Sequence, residues 1–345
     1  QYFGSGDMEG VRHTFRFKLL VASIITVGGM LLFGFAGKSL ISAYIAADTA
    51  PADAAATLGY AWQYLCIMLV GLVPFALTQC YAGTLRESGQ TVLPMKASMI
   101  AMVVNFVFNA LLIFGLLGFP RMGVAGAAVA TVLSRFVELA VVVVGAHRSL
   151  ERYPFFEGVY ASMHIPAELA KNILLRSMPL LLNELMWGMG QAILLQCYSV
   201  RGIQVVAALN ICNTISQIFN EVFLSLGNAT AIVVGQELGA DRLTGARRTA
   251  WRMLSLSVMS CVVMGLLLSL CAPLIPQIYN TEESIRLLST ELIRAVALCM
   301  PLFGFANCAY FTLRSGGKTF ITFLFDSCFT CGITVPVAYV LAHYT

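Results

Sequence analysis

Charged residues are scarce in this chain. Only 11% of its 345 residues are Asp, Glu, Lys or Arg, whereas a soluble protein carries about one quarter. Hydrophobic residues make up 59% of the chain, and its mean hydropathy is +0.82. This composition excludes an ordinary soluble domain. It predicts an all-α protein that crosses a bilayer several times, because helices satisfy their own backbone groups in hydrocarbon.

Side chains that commonly carry catalysis are also few. The four histidines lie at the edges of apolar runs or in loops, without the spacing of a helical metal pair. Cys328 and Cys331 have the spacing of a zinc or redox pair, but no second pair or nearby histidine accompanies them. No basic and aromatic cluster suggests nucleic acid. We therefore expect no enzyme, no metal site, no cofactor and no nucleic-acid partner.

Long apolar runs are what the chain has in abundance. We predict nine membrane-spanning helices of about 20 residues or more. They cover residues 15–37, 57–83, 95–118, 124–147, 172–200, 204–235, 250–271, 287–312 and 319–343. Basic residues orient them: of the 21 Lys and Arg, fifteen lie on one side and five on the other, with Arg135 inside a span. The fifteen mark the cytoplasmic side.

Two cytoplasmic loops occur twice. Residues 1–14 match residues 236–249 at five of fourteen positions, and residues 84–91 match 312–319 at five of eight. Each pair encloses two apolar runs, and both copies face the same side. The sequence therefore predicts two parallel repeats, a pattern typical of transporters whose substrate path lies between the copies.

The repeats also predict the domain organisation. We divide the chain into an N-terminal lobe of about four spans (1–150), a cytoplasmic linker (151–171) and a C-terminal lobe of about five spans (172–345). Combining the copies gives six helices per repeat and twelve in all. We therefore expect a fragment that lacks about two helices at its amino end and one at its carboxyl end.

Two successive spans carry polar stripes. At 100° per residue, each stripe falls within an arc of about 100°. The first contains Asn183, Glu184, Trp187, Gln191 and Tyr198, and the second contains Asn210, Asn213, Gln217, Asn220, Glu221 and Asn228. A structural seam of interhelical hydrogen bonds could produce such stripes. A face lining a wet cavity is favoured, because two carboxylates accompany the amides.

Two further acids lie within spans. Glu138 follows Arg135 by three residues, so the two can form a structural ion pair, with a role in gating or coupling as the alternative. Asp326 lies about 10 Å into the last span. It is either a helix-entry residue bonded to the cytoplasmic loop or a proton or Na⁺ site.

Three stretches resemble the bacterial multidrug and toxic compound extrusion (MATE) transporters. They read VGQELGA at 234–240, TLRESGQTVLP at 84–94 and GVAGAAVAT at 123–131, and the similarity extends over essentially the whole chain. The resemblance implies twelve helices in two six-helix lobes that form a V in the bacterial cytoplasmic membrane. It also implies a transporter, which we expect to be a monomer, that opens alternately to either side.

The resemblance further implies export of amphiphilic, often cationic, drugs or metabolites in exchange for Na⁺ or H⁺. In one branch of the family, a carboxylate on the first helix of the second lobe takes part in coupling. Glu184 lies on the corresponding helix after Pro179, at a shorter offset than in that branch. We expect Glu184, Glu221 and Asp326 to bind the coupling cation, and Trp187 and Tyr198 to contact the substrate.

An alternative is a lipid-linked oligosaccharide flippase, which shares the fold. Such a protein should have a strongly basic central cavity for pyrophosphate. Within the predicted spans the charged residues are four acids and a single arginine, a balance that favours an antiporter for cations.

Overall fold

The computed structural model describes residues 1–42, 51–200, 202–279 and 281–344. Helix accounts for 86% of the protein, and the described residues contain no strand. The helices are α1 (Met8–Ser42), α2 (Pro51–Glu87), α3 (Val92–Phe114), α4 (Val124–Arg148), α5 (Ala167–Ser199), α6 (Ile203–Gly239), α7 (Leu243–Cys271), α8 (Glu283–Ser315), α9 (Thr319–Phe323) and α10 (Val335–Tyr344). The prediction of an all-α membrane protein is confirmed.

In the described part of the chain, eight helical stretches are long and apolar enough to cross a membrane. They correspond to eight of the nine predicted spans. The ninth predicted span corresponds to α5, whose 33 residues are long enough to cross a membrane. Its polar side chains make it less apolar than the eight other spans. An α-helix needs about 20 residues to cross the hydrocarbon core, so the longer helices, such as the 37-residue α6, continue beyond it.

Contacts between Cα atoms divide the chain into two units. The first unit contains Tyr2 and residues 7–166, with helices α1 to α4. The second contains Gln1, residues 3–6 and the chain from Ala167 onward, with helices α5 to α10. In the first unit α4 packs against α2 and α3, and in the second α8 packs against α6 and α7.

Small residues bring the helices of each unit close together. In the first unit, a Cβ atom on Gly126 of α4 would lie 2.7 Å from the carbonyl oxygen of Leu112 on α3. In the second unit, a Cβ atom on Gly265 of α7 would lie 2.6 Å from the carbonyl oxygen of Ala297 on α8. Such contacts are typical of membrane helices, which associate through close packing rather than water exclusion.

The repeated loops have the same backbone structure in both copies. After α2, Gly89 N–H donates to Arg86 O and Gln90 N–H donates to Leu85 O, at 2.9 and 2.8 Å. After α8, the equivalent Gly317 and Lys318 bind Arg314 and Leu313 in the same pattern, at 3.0 and 3.1 Å. Both glycines have a φ of +76°. These are Schellman caps, in which a left-handed glycine ends the helix.

The other repeated loop, residues 1–14 and 236–249, also has the same backbone structure in both copies. Asp7 N–H donates to Tyr2 O at 3.0 Å, and the equivalent Arg242 N–H donates to Glu237 O at 3.0 Å. Gly6 and its counterpart Asp241 both have positive φ angles, +78° and +58°. The sequence repeat is therefore also a structural repeat.

The last predicted span is interrupted. Residues 319–343 were expected to form one helix, but two π-helical segments, Leu324–Cys328 and Thr330–Thr334, separate α9 from α10. A π segment shifts the backbone hydrogen bonds by one residue and widens the turn, and such bulges are frequent at functional sites. Asp326 lies in the first of these segments.

Candidate cation and substrate site

A polar cluster lies inside the second unit. The Asn183 amide on α5 donates to Asp326 Oδ2 at 2.8 Å and lies 3.3 Å from the Tyr310 hydroxyl of α8. Ser327 Oγ donates to the Asn183 side-chain oxygen at 2.6 Å. Asn183 is only 2% exposed, although α5 is otherwise largely exposed. We call Asn183, Tyr310, Asp326 and Ser327 the Asn183 cluster.

Two consecutive members of this cluster lie in the first π segment. It places Asp326 and Ser327, which are consecutive residues, so that both side chains reach Asn183. The next π segment also contacts α5, where Cys331 Sγ approaches Met186 O at 3.6 Å. Both π segments therefore contact α5.

Charges surround the cluster. Arg314 lies one turn after Tyr310 on α8, and Glu184 is the residue next to Asn183 on α5. Two carboxylates, Glu184 and Asp326, and one guanidinium therefore share this part of the second unit. Carboxylate, amide and hydroxyl oxygens are ligands that hard cations accept.

The predicted stripe on α5 is divided by the structure. Asn183 turns towards α8 and the first π segment, whereas Glu184 and Gln191 are exposed. Trp187 is 47% exposed. Tyr198 lines an open cavity of about 610 Å³ with residues of the second π segment and α10. The angular position of a residue on a helix does not show whether that side packs against another helix or is exposed. The sequence alone therefore could not separate Asn183 from Glu184 and Gln191.

The α6 stripe remains together. Its buried residues, such as Phe223 and Thr230, lie on the face that packs within the second unit. The polar residues share the opposite, exposed face: Asn210, Asn213, Gln217, Asn220, Glu221 and Asn228. Exposed amides and a carboxylate in a membrane span are costly unless they meet water or a polar partner. The structure does not bring Glu221 into the Asn183 cluster.

Arg135 and Glu138 form an ion pair in the first unit, at 3.3 Å. Glu138 is 9% exposed and also accepts a hydrogen bond from Ser98 at 2.8 Å. The Arg135 guanidinium lies 4.8 Å from the centre of the Phe75 ring. These contacts provide both charges with partners, as expected of a structural pair inside an apolar unit.

The sequence analysis did not identify Tyr310 and Ser327 of the Asn183 cluster, or two asparagines of the first unit. Tyr310 and Ser327 lie in apolar runs without a stripe to mark them. In the first unit, Asn109 donates to Asn105 at 2.9 Å, and Asn105 donates to Thr131 at 3.3 Å. The two asparagines are spaced four residues apart on an apolar helix, a signal that could have been noticed. Among the described residues, no group of three His, Cys, Asp or Glu side chains could hold a metal ion.

The fold and these buried polar groups define a helical membrane protein built from an internal repeat. A family model described as MatE matches residues 1–111 and 179–340. The chain therefore belongs to the MatE family, as its motifs predicted, and is a multi-pass protein of the cytoplasmic membrane.

Known relatives are similar over most of the chain. The probable multidrug resistance protein YoeA of Bacillus subtilis is 24% identical over 82% of this chain and 61% of its own length. The probable multidrug resistance protein NorM of Thermotoga maritima is 24% identical over 82% of this chain and 60% of its own length. The chain thus spans about three fifths of these relatives.

Solved structures show the same fold. A crystal structure of MATE in complex with MaD3S has a TM-score of 0.86 to this chain. It is 21% identical and matches 99% of this chain and 73% of its own.

Proposed function

We propose that the full-length protein is a secondary active antiporter that exports amphiphilic organic cations in exchange for Na⁺ or H⁺. The observation that supports this most directly is the Asn183 cluster, in which one buried amide donates both to a carboxylate within a span and to a tyrosine hydroxyl. Intramembrane carboxylates are rare and commonly mark ion pathways. The names of YoeA and NorM, both probable multidrug resistance proteins, agree with the proposal.

The geometry gives Asp326 a way to respond to a cation. As a carboxylate it accepts the hydrogen bond of Asn183. Protonation of Oδ2, or a Na⁺ ion bound there, competes with this hydrogen bond and frees the amide. Asn183 lies on α5 and Asp326 lies on the first π segment. Loss of their hydrogen bond therefore alters the packing between these two elements. A ligand that interacts unequally with two conformations shifts their equilibrium.

The exposed faces of α5 and α6 would form the substrate surface. Glu184 and Glu221 supply negative charge, while Trp187 and Tyr198 supply aromatic rings that favour cations. Exposed methionine and leucine side chains, such as Met189 and Leu185, add an adaptable apolar surface. This arrangement of acids and amides does not favour the oligosaccharide flippase, which needs basic groups for pyrophosphate.

Transport by the full-length protein in lipid vesicles tests the proposal. Efflux of a fluorescent organic cation is measured while Na⁺ and H⁺ gradients are imposed separately. We expect one gradient to drive efflux and Asp326→Asn to remove at least 90% of the driven rate. Glu168→Gln is the matched control, because Glu168 is an exposed acid in the first turn of α5.

Separate outcomes contradict separate parts of the proposal. If neither gradient drives efflux, the protein is not an antiporter of such cations. If efflux is driven but Asp326→Asn transports as well as Glu168→Gln, coupling does not depend on the Asn183 cluster. Glu184→Gln and Glu221→Gln, measured in the same vesicles, then show whether an exposed acid serves instead.

A further inference from the structure

The outer face of α7 near its amino end has an unusual set of side chains. Arg248 and Arg252 lie one turn apart, with the exposed Trp251 beside them. Together with Ser255, Leu256 and Met259 they line an open groove of about 540 Å³. This groove is separate from the Asn183 cluster and from the stripes on α5 and α6.

The groove lies on the exposed side of α7, opposite the side that packs within the second unit. The packed residues of this helix include Ala246, Ser257 and Cys261. At 100° per residue, Arg248, Arg252 and Met259 point to roughly the opposite side. Met259 is 68% exposed and Leu256 is 50% exposed. In a membrane-spanning helix this side contacts lipid.

Along the groove the side chains change from charged to apolar, as the lipid of one leaflet changes from headgroup to acyl chain. From Arg248 to Met259 the helix rises by about 17 Å, at 1.5 Å per residue. The hydrocarbon of one leaflet is about 15 Å thick. Arginines and a tryptophan therefore lie at the headgroup level, where tryptophan is enriched. Leu256 and Met259 lie at the level of the acyl chains.

Within the part of the chain that the structure describes, no acidic side chain pairs with the arginines of the groove. Helix α7 contains no Asp or Glu. Among the residues that the structure describes, no carboxylate lies within ion-pair distance of Arg248 or Arg252. Guanidinium groups bind phosphate through two parallel hydrogen bonds, so two of them one turn apart suit a phosphodiester.

We propose that this groove is a binding site for an anionic phospholipid of the cytoplasmic leaflet. Arg248 and Arg252 bind the phosphate, Trp251 lies beside the headgroup, and Leu256 and Met259 contact an acyl chain. The amino end of α7 is cytoplasmic because basic residues gather there, and that leaflet supplies anionic headgroups. A soluble phosphate compound has the charge but not the chain that the deeper residues contact.

Lipid binding to the full-length protein in detergent tests this inference. Dioleoylphosphatidylglycerol and dioleoylphosphatidylcholine are added separately, and bound lipid is counted by native mass spectrometry. We expect the anionic lipid to bind more tightly, and Arg248→Gln with Arg252→Gln to weaken its binding about tenfold. Arg247→Gln is the matched control, because Arg247 is an exposed neighbour of equal charge that does not line the groove.

Three results would overturn the proposal. Equal binding of the two lipids by the unchanged protein would show no preference for negative charge. Equal losses in the double variant and in Arg247→Gln would show diffuse attraction without a site. Displacement of the lipid by millimolar inorganic phosphate would show a simple anion site. If the double variant fails to fold, Trp251→Ala is measured instead, and we expect it to weaken binding of the anionic lipid.

Discussion

Single side chains connect the helical elements within the second unit. Asn183 is the clearest case, because its amide contacts both Tyr310 and Asp326 while its oxygen accepts from Ser327. One residue on α5 thus joins α8 and the π segment. Buried polar groups without partners are costly, so removal of such a residue has consequences at each group it binds.

Asn183→Ala should destabilise the second unit. The substitution leaves Asp326 without its amide donor and removes the side-chain acceptor of Ser327, which is fully buried. We expect a loss of about 1–3 kcal/mol, measured as a lower unfolding temperature in detergent. Gln191→Ala, an exposed position two turns further along α5, is the control. Equal effects of the two substitutions would contradict the role given to Asn183.

The internal repeat allows a comparison between two equivalent positions that precede a helix, Asp7 and Arg242. Asp7 caps α1, because its Oδ1 accepts the Gly10 N–H at 2.8 Å. Its counterpart Arg242 makes no side-chain cap to α7. We expect Asp7→Ala to cost about 1 kcal/mol and Arg242→Ala to cost less than half of that, both measured by unfolding in detergent. A larger loss for Arg242→Ala would show that the cap is not what Asp7 contributes.

At the scale of elements, the two copies of one loop pack reciprocally. Within the second unit, a Cβ atom on Gly239 at the end of α6 would overlap the Gln1 carbonyl oxygen. A Cβ atom on Gly4 would overlap the Gln236 carbonyl oxygen in the same way. The matching positions of the two loops thus approach each other closely, and only glycine leaves room for the neighbouring backbone.

Gly239→Ala should displace the amino-terminal loop from the end of α6. Overpacking against backbone costs about 1–3 kcal/mol, so amide hydrogens of residues 1–6 should exchange roughly tenfold faster. Gly235→Ala is the control, because its nearest neighbour would be Ser315 Cβ at 3.9 Å. Unchanged exchange in Gly239→Ala would mean that the loop packs without this close approach.

Elements were easier to predict than the contacts between them. The lengths of the apolar runs predicted the helices, and the internal repeat predicted two pairs of loops whose backbone hydrogen bonds match, because both signals are local. The π segments around Asp326 were not predictable, since no residue pattern in LFDSC or TCGIT distinguishes a π turn from an α turn. For the same reason the sequence could group Asn183 with Glu184 but could not assign them to different surroundings.

For the whole molecule, antiport requires that the substrate and the coupling cation exclude each other. The proposed function assigns this competition to the acids of the second unit, where Asp326 binds Asn183 and the exposed Glu184 is the next residue on α5. If both ligands need the same negative charges, each must weaken the binding of the other by the same factor. This reciprocity can be measured at equilibrium, without any gradient.

Substrate binding to the full-length protein in detergent should therefore weaken as the coupling cation is added. We expect the Kd of a fluorescent organic cation to rise by about 5- to 150-fold, a typical range for coupled sites, with either Na⁺ concentration or proton concentration. In Asp326→Asn the dependence should fall to less than twofold, because an amide cannot bind a proton or balance a cation at neutral pH. Glu168→Gln should keep the full dependence. If Asp326→Asn still binds the substrate tightly but its Kd no longer depends on the coupling cation, coupling takes place at Asp326. If the Kd of Asp326→Asn depends on the cation as before, another residue is responsible for coupling.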